Sequence, residues 1–234
     1  MRKLGLIGGM SWVSTGIYYE RINKIIQKRA APMASAPLLI ESLDFRQLYG
    51  LREDKEWQHA AQVLSDSAKR LEDAGAQAII IGANSMHKLY DEVAANIDIP
   101  ILHIADYVGL ALKRAGHKKV ALIGTRNVMT ESFYRKRLIA HGIDLLPPDM
   151  GNVEMLDQII YDQLMLGKVT RDAERKLKTI ITNKAQDGAK AIVLACTELN
   201  LIVDINANVL PVFDSTRIHC EVAADWILEQ DIDA

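Results

Sequence analysis

Gly75-Ala76-Gln77-Ala78-Ile79-Ile80-Ile81-Gly82-Ala83 recurs, slightly altered, as Gly188-Ala189-Lys190-Ala191-Ile192-Val193-Leu194-Ala195-Cys196. Two further pairs repeat at nearly the same distance, Lys3–Gly8 with Lys119–Gly124 and Ile99–His103 with Leu210–Asp214. The period is close to half of the 234 residues, whereas repeat arrays have periods of about 20 to 50 residues. The chain is therefore predicted to contain two similar domains and not a solenoid.

Short β-branched runs alternate with segments of helical periodicity along the whole chain. The predicted strands are Leu4–Gly8, Leu38–Leu43, Ala78–Ile81, Ile99–His103, Val120–Gly124, Ile192–Ala195 and Val209–Phe213. Continuous apolar strands that alternate with helices indicate parallel sheets covered on both faces. We therefore predict an α/β fold, with residues 1–98 and 208–234 in the N-terminal domain and residues 99–207 in the C-terminal domain.

Composition narrows the class of partner. The net charge is −2, from 28 basic and 30 acidic residues, which leaves no electrostatic footprint for nucleic acid. The longest apolar runs are far shorter than a membrane span, and no signal-peptide pattern precedes the first strand. Two cysteines do not suggest a disulfide framework. We expect a cytoplasmic protein with a small-molecule partner and no nucleic-acid or membrane partner.

Polar and glycine residues follow the predicted strands. Ligands of parallel sheets bind beyond the carboxyl ends of the strands, so these residues are the candidates for a binding site. They are Gly8–Ser11, Asp44, Gly82–His87, His103, Gly124–Arg126, Cys196–Glu198 and Asp214. The glycine-rich first segment lacks the Lys-Ser/Thr ending of a phosphate loop, and the histidines and cysteines show no metal-ligand spacing. Neither a nucleotide nor a metal is expected.

Four of these segments carry recognisable motifs, Gly8-Gly9-Met10-Ser11-Trp12, Asn84-x-Met86-His87-Lys88, Cys196-Thr197-Glu198 and Pro211-Val212-Phe213-Asp214. Together they resemble the aspartate/glutamate racemase family along essentially the whole chain. The resemblance implies two α/β domains related by a pseudo-two-fold, with the active site in the cleft between them. It also implies a homodimer, no cofactor, and an amino acid or dicarboxylate as substrate.

Each domain of the family offers one thiol to one face of the substrate α-carbon. In the family pattern the second thiol precedes Thr-Glu, which is Cys196 here, and the first stands two residues before Asn84, which is Gly82. The internal repeat instead aligns Cys196 with Ala83, and neither position holds a thiol. Racemisation by proton removal and return is served best by two opposed groups, so we expect impaired or altered activity. If a helix begins after Cys196, its N-terminus would make the thiolate accessible near neutral pH.

The resemblance and the strand-end positions together suggest the residues that bind the substrate. They are Met10, Ser11, Asn84, Ser85, Thr197, Glu198, Arg46 and Lys168. Asn84, Ser85 and Thr197 would donate hydrogen bonds, and the backbone N–H groups after Gly82 and Cys196 would hold the α-carboxylate. Arg46 and Lys168 would bind a side-chain carboxylate. A surface position for Arg46, and a helix-end dipole contact for Lys168, fit the pattern as well.

Three alternatives remain open from the sequence. A single-thiol enzyme could decarboxylate a malonate-like acid, as the related arylmalonate decarboxylases do. The protein could also bind an acidic amino acid without turning it over. Finally, Ser85, His87 or a water held by His103 could replace the missing base.

Overall fold

The computed structural model describes residues 1–51, 53–205 and 207–229. The chain divides into two compact units, Met1–His103 with the described residues from Cys220 onward, and Ile104–His219. Each unit contains a parallel β-sheet flanked by helices, which is the predicted fold class.

The sheet of the first unit has the strand order β2-β1-β3, with β1 at Leu4–Gly8, β2 at Leu38–Ser42 and β3 at Ala78–Ile81. Every residue of β1 and β3 is buried, because helices cover both faces of a parallel sheet. The helices are α1 (Trp12–Arg29), α2 (Asp54–Asp73) and α3 (Tyr90–Ala94), with short 3-10 helices at Phe45–Gln47 and Ser85–Leu89.

The sheet of the second unit has the order β5-β4-β6-β7, and its strands are Lys119–Gly124 (β4), Asp144–Leu145 (β5), Ala191–Ala195 (β6) and Val212–Asp214 (β7). Its helices are α4 (Ile104–Arg114), α5 (Arg126–Thr130), α6 (Ser132–Ala140), α7 (Met150–Asp162) and α8 (Arg171–Gln186), with 3-10 helices at Leu164–Leu166 and Thr197–Leu201. Helix α9 (Ser215–Ile227) carries the chain from the second unit back into the first. Two apolar clusters draw on alternate residues of β4 and β6, so this sheet is also buried on both faces.

The predicted strand at Ile99–His103 is wrong. Only Ile101 pairs with the sheet, through a single bridge to Ile79. Pro100 has no N–H to donate to a ladder, and α4 begins directly after His103, so the segment is too short to pair further. Among the described helices, none is both long and apolar enough to cross a bilayer.

The turn after β1 requires glycine. Gly9 has φ +85°, and a Cβ there would lie 2.9 Å from the carbonyl carbon of Leu43 and closer still to its nitrogen and oxygen. The Gly9 N–H donates to the Thr15 hydroxyl at 2.7 Å, and the Leu43 N–H donates to the Gly8 carbonyl at 3.0 Å. The close approach of two backbone segments therefore determines where the chain leaves the sheet.

We expect Gly9→Ala to lower the free energy of unfolding by at least about 3 kcal/mol, because a positive φ and a backbone overlap act together. Gly16→Ala is the matched control, since Gly16 lies in α1 with no atom within 4 Å of an added Cβ. That change is expected to stabilise the protein by about 0.5 to 1 kcal/mol. Urea denaturation measures the stability of both variants. Equal stability of Gly9→Ala and the wild type would contradict the requirement for glycine at position 9.

Candidate active site

Met10 and Ser11 lie at the carboxyl edge of the first sheet, directly after β1. Both are buried, and the peptide bond between them is cis. Met10 packs in the core cluster of the unit, while Ser11 begins α1 and accepts a hydrogen bond from the Ser14 N–H at 3.5 Å. Both residues thus have structural roles, and their contact with substrate stays a prediction.

Asn84 lies at the same edge, three residues after β3. Its side chain is only 5% exposed, yet neither Nδ2 nor Oδ1 has a hydrogen-bond partner in the described structure. An unsatisfied buried amide costs about 1 to 3 kcal/mol, which a ligand carboxylate or ammonium group would offset. Ser85 begins the adjoining 3-10 helix and is half-buried. Asn84 is therefore the side chain of this unit best suited to a polar ligand.

The candidate replacement bases His87 and His103 are packed under this edge. His87 is 1% exposed, and its Nδ1 lies 3.0 Å from the Ala83 carbonyl oxygen. Its ring contacts that of His103 edge to face, at 4.6 Å between centroids, and Tyr90 contacts His103 in the same manner. The two buried histidine rings and the partly buried Tyr90 ring form a cluster within and beside the segment from Ala83 to Tyr90.

The strand registers identify the position in the first unit that corresponds to Cys196. Ile7 pairs with Ile81, and Ile123, which occupies the place of Ile7 in the repeat, pairs with Leu194. Counting two residues onward from each partner matches Ala83 with Cys196.

Gly82 occupies a different environment. Its N–H donates to the Ile7 carbonyl at 2.8 Å, and an added Cβ would come within 3.1 Å of that oxygen and 3.2 Å of Leu6 Cδ1. A side chain at position 82 would thus be directed toward the neighbouring strand. The geometry favours Ala83 over Gly82 as the thiol position, and the internal repeat was the sequence signal that pointed to it.

Cys196 lies at the carboxyl edge of the second sheet, between β6 and the 3-10 helix Thr197–Leu201. Its side chain is 5% exposed, and Sγ donates a hydrogen bond to Glu198 Oε2 at 3.1 Å. Burial raises the pKa of the thiol well above its usual range, and the charge and hydrogen bond of Glu198 raise it further. The N–H groups of Glu198 and Leu199 lower the pKa, but by less. The expected accessible thiolate is therefore not what the structure favours, because burial outweighs a single short helical turn.

Hydroxyl groups also follow the two strands that neighbour β6 in the sheet. Thr125 follows β4 and Thr216 follows β7, and both are buried with Oγ1 lacking a partner among the described residues. Thr197, next to the cysteine, is buried as well. The sequence analysis placed Thr125 in the strand-end segment Gly124–Arg126, but the predicted substrate-binding residues included neither Thr125 nor Thr216, although both follow strands and this position was the available signal.

Glu198, predicted to bind substrate, is 2% exposed and accepts the hydrogen bond from Cys196. Nearby, Asp214 is fully buried and accepts hydrogen bonds from Asn200 Nδ2 and from the Arg217 N–H, both at 3.0 Å.

Arg46 and Lys168 are exposed. The Arg46 side chain is 89% exposed and forms an ion pair with Asp44, which raises the pKa of the guanidinium and lowers that of the carboxyl. Lys168 follows the left-handed Gly167 at the end of Leu164–Leu166, a helix that packs against Thr197–Leu201. Arg46 is paired with Asp44, which follows β2, and Lys168 follows a helix that packs beside the one after Cys196. Contact of either cation with a substrate carboxylate remains a prediction. Within the described ranges, no three His, Cys, Asp or Glu side chains are grouped to hold a metal ion.

The arrangement of two parallel sheets flanked by helices is shared with known racemases. A model of the Asp/Glu/hydantoin racemase family matches residues 7–223. The broad specificity amino-acid racemase RacX of Bacillus subtilis is 24% identical over 208 residues, which are 79% of this chain and 89% of RacX.

Solved structures of similar proteins support the same family. A candidate Asp/Glu racemase from Yersinia pestis is 40% identical with a TM-score of 0.89, covering 97% of this chain and all of that one. An aspartate racemase homologue from Pyrococcus horikoshii is 30% identical with a TM-score of 0.84, at the same coverage. The chain therefore belongs to the Asp/Glu/hydantoin racemase family and is an isomerase of the amino-acid racemase class.

The raised pKa of Cys196 predicts a pH dependence of stability. Because the folded pKa lies above the unfolded value, the contribution of this thiol is complete below about pH 8.5 and is lost as the pH rises further. One proton gives a slope of at most about 1.4 kcal/mol per pH unit. The difference in unfolding free energy between the wild type and Cys196→Ser should therefore shrink above about pH 8.5. A difference that is constant with pH would contradict this environment.

Proposed function

We propose that this protein exchanges the α-proton of an acidic amino acid through Cys196 alone, without a cofactor, and inverts the α-carbon poorly. The observation that carries the proposal is the buried Cys196 at the end of β6, for which the first unit offers Ala83 in the equivalent position. A methyl group neither takes nor gives a proton. One face of the substrate would thus have an acid/base group and the other face would have none.

Substrate binding in this proposal relies on partners that the fold leaves available. Asn84, Thr125 and Thr216 have buried polar atoms without hydrogen bonds to any described residue, and they would bind the α-carboxylate and α-ammonium groups. Stabilising the carboxylate lowers the cost of the carbanion that forms when the proton leaves. Arg46 and Lys168 would bind the side-chain carboxylate, which restricts the substrate to a dicarboxylic amino acid.

Further properties belong to the same proposal. We place the protein in the cytoplasm, since both cysteines are free thiols, and expect a homodimer with a small-molecule substrate. Decarboxylation of a malonate-like acid is the second candidate, because a lone thiol suffices to protonate a carbanion. It is favoured by the raised pKa of Cys196, which keeps the thiol in its proton-donating form.

Incubation of each enantiomer of aspartate and glutamate in D₂O tests the proposal. Because one group removes and returns the proton on one face, exchange of the α-proton should exceed inversion, as measured by NMR and chiral chromatography. Cys196→Ser should abolish both. Equal rates of exchange and inversion would require a second base. Release of carbon dioxide from a malonate without amino-acid exchange would favour the decarboxylase, and binding without either reaction would favour a binding protein.

A thiol restored to the first unit should recover inversion. We expect Ala83→Cys to raise the inversion rate by about 10²- to 10⁴-fold, the usual contribution of a positioned acid/base group. Gly82→Cys is the matched control, and it should raise inversion much less because its side chain is directed toward Ile7 and Leu6. A larger gain in the inversion rate from Gly82→Cys than from Ala83→Cys would restore Gly82 as the thiol position. No gain from either variant would argue against racemisation.

Neutralising Arg46 or Lys168, the two cations proposed to bind the side-chain carboxylate, should weaken dicarboxylate binding. Arg46→Gln and Lys168→Gln are each expected to raise KM for aspartate by about tenfold with little change in kcat, the pattern of lost uniform binding. Lys178→Gln, which removes an exposed cation of α8, serves as the control. Unchanged KM in both variants would exclude these residues from the substrate site.

A further inference from the structure

The contact between Cys196 and Glu198 joins two ionisable groups that are both buried. Sγ and Oε2 are 3.1 Å apart, and the side chains are 5% and 2% exposed. A buried carboxylate beside a thiol is unusual in a site that needs a thiolate, since the negative charge opposes ionisation of the sulfur. Cys196 is the N-cap of the Thr197–Leu201 helix and Glu198 lies in its first turn, so the contact is local and does not depend on a distant element.

We propose that Glu198 is a positioning residue that stores the proton of Cys196, rather than a ligand of the substrate. This inference deepens the proposed function and rests on it. Before turnover, the S–H bond breaks and the proton forms an O–H bond with Oε2, which leaves a thiolate beside a neutral acid. The thiolate then takes the α-proton, so the C–H bond breaks and an S–H bond forms. In D₂O the hydrogen on sulfur exchanges with solvent deuterium; the S–D bond then breaks as a C–D bond forms, which restores the thiolate, and the thiolate regains its own proton from Oε2.

On the elements next to this contact, Asp214 and Arg126 have their own partners and Lys168 is exposed. Asp214 at the end of β7 accepts hydrogen bonds from Asn200 and the Arg217 N–H. After β4, the Arg126 guanidinium lies 3.5 Å from Asp157. Lys168, beyond the Leu164–Leu166 helix, is exposed. Glu198 is the charged residue that acts on the Cys196 thiol through both its charge and its hydrogen bond.

Alkylation of Cys196 by iodoacetamide tests the inference without relying on turnover. In a Cys220→Ala background, Cys196 is the sole thiol, and its alkylation rate below the thiol pKa follows the thiolate fraction. Glu198→Gln keeps the side-chain volume and removes the charge. At a pH below about 8.5 it should be alkylated about tenfold faster or more, because removing the neighbouring charge lowers the pKa of the thiol. Glu174→Gln, an exposed change in α8, should alkylate at the rate of the background protein.

A second measurement does not require Glu198→Gln to fold. Titration of the thiolate absorbance in the Cys220→Ala protein, with the Cys196→Ser protein subtracted, should show ionisation only above the ordinary thiol range. Ionisation at or below about pH 8.5 would overturn the inference, as would equal alkylation rates of Glu198→Gln and its background. Loss of α-proton exchange in the wild type would contradict the proposed function instead, and would leave the titration unaffected.

Discussion

Parallel pairing of β1 with β3 and of β4 with β6 is the constraint on which the site depends. Parallel strands end at the same edge of a sheet, so the residues that follow them gather there whatever their separation in sequence. The pairing also buries the strands on both faces, because helices must cross over each sheet. Asn84 and Cys196 are therefore placed by the same arrangement that forms the two cores.

Burial has opposite effects on stability and on chemistry. Cys196 packs in an apolar cluster with Ile192 and Leu194, and this packing excludes water from the sulfur. Exclusion of water strengthens any hydrogen bond made to a substrate there, but it also disfavours the thiolate. A buried cysteine without a proton acceptor would be inert, whereas the adjacent Glu198 carboxylate can accept the thiol proton. The carboxylate thus reconciles a protonated resting thiol with proton transfer.

Much of the fold was predictable from the sequence, because uninterrupted apolar strands and the internal repeat depend on local patterns. Ala78–Ile81 and the strand ending at Ala195 lie where the apolar runs predict them. The error at Ile99–His103 has a local cause in Pro100, whose missing N–H limits the segment to one bridge.

The details of the site were less predictable. The position of Cys196 at a strand end followed from the repeat, but its hydrogen bond to Glu198 depends on the turn geometry of a short 3-10 helix, which periodicity does not reveal. The orientation of Gly82 is likewise a property of strand register, which only coordinates define. The repeat had already paired Cys196 with Ala83, so an alignment within the chain was more informative here than a motif compared with other proteins.

The most direct test of the account is the distance from Cys196 Sγ to the α-carbon of aspartate in a crystal structure of the complex. Reacting atoms in a productive complex lie about 3 to 3.5 Å apart, and we predict a distance near that range. An aspartate bound elsewhere, with the sulfur still covered by protein, would contradict it.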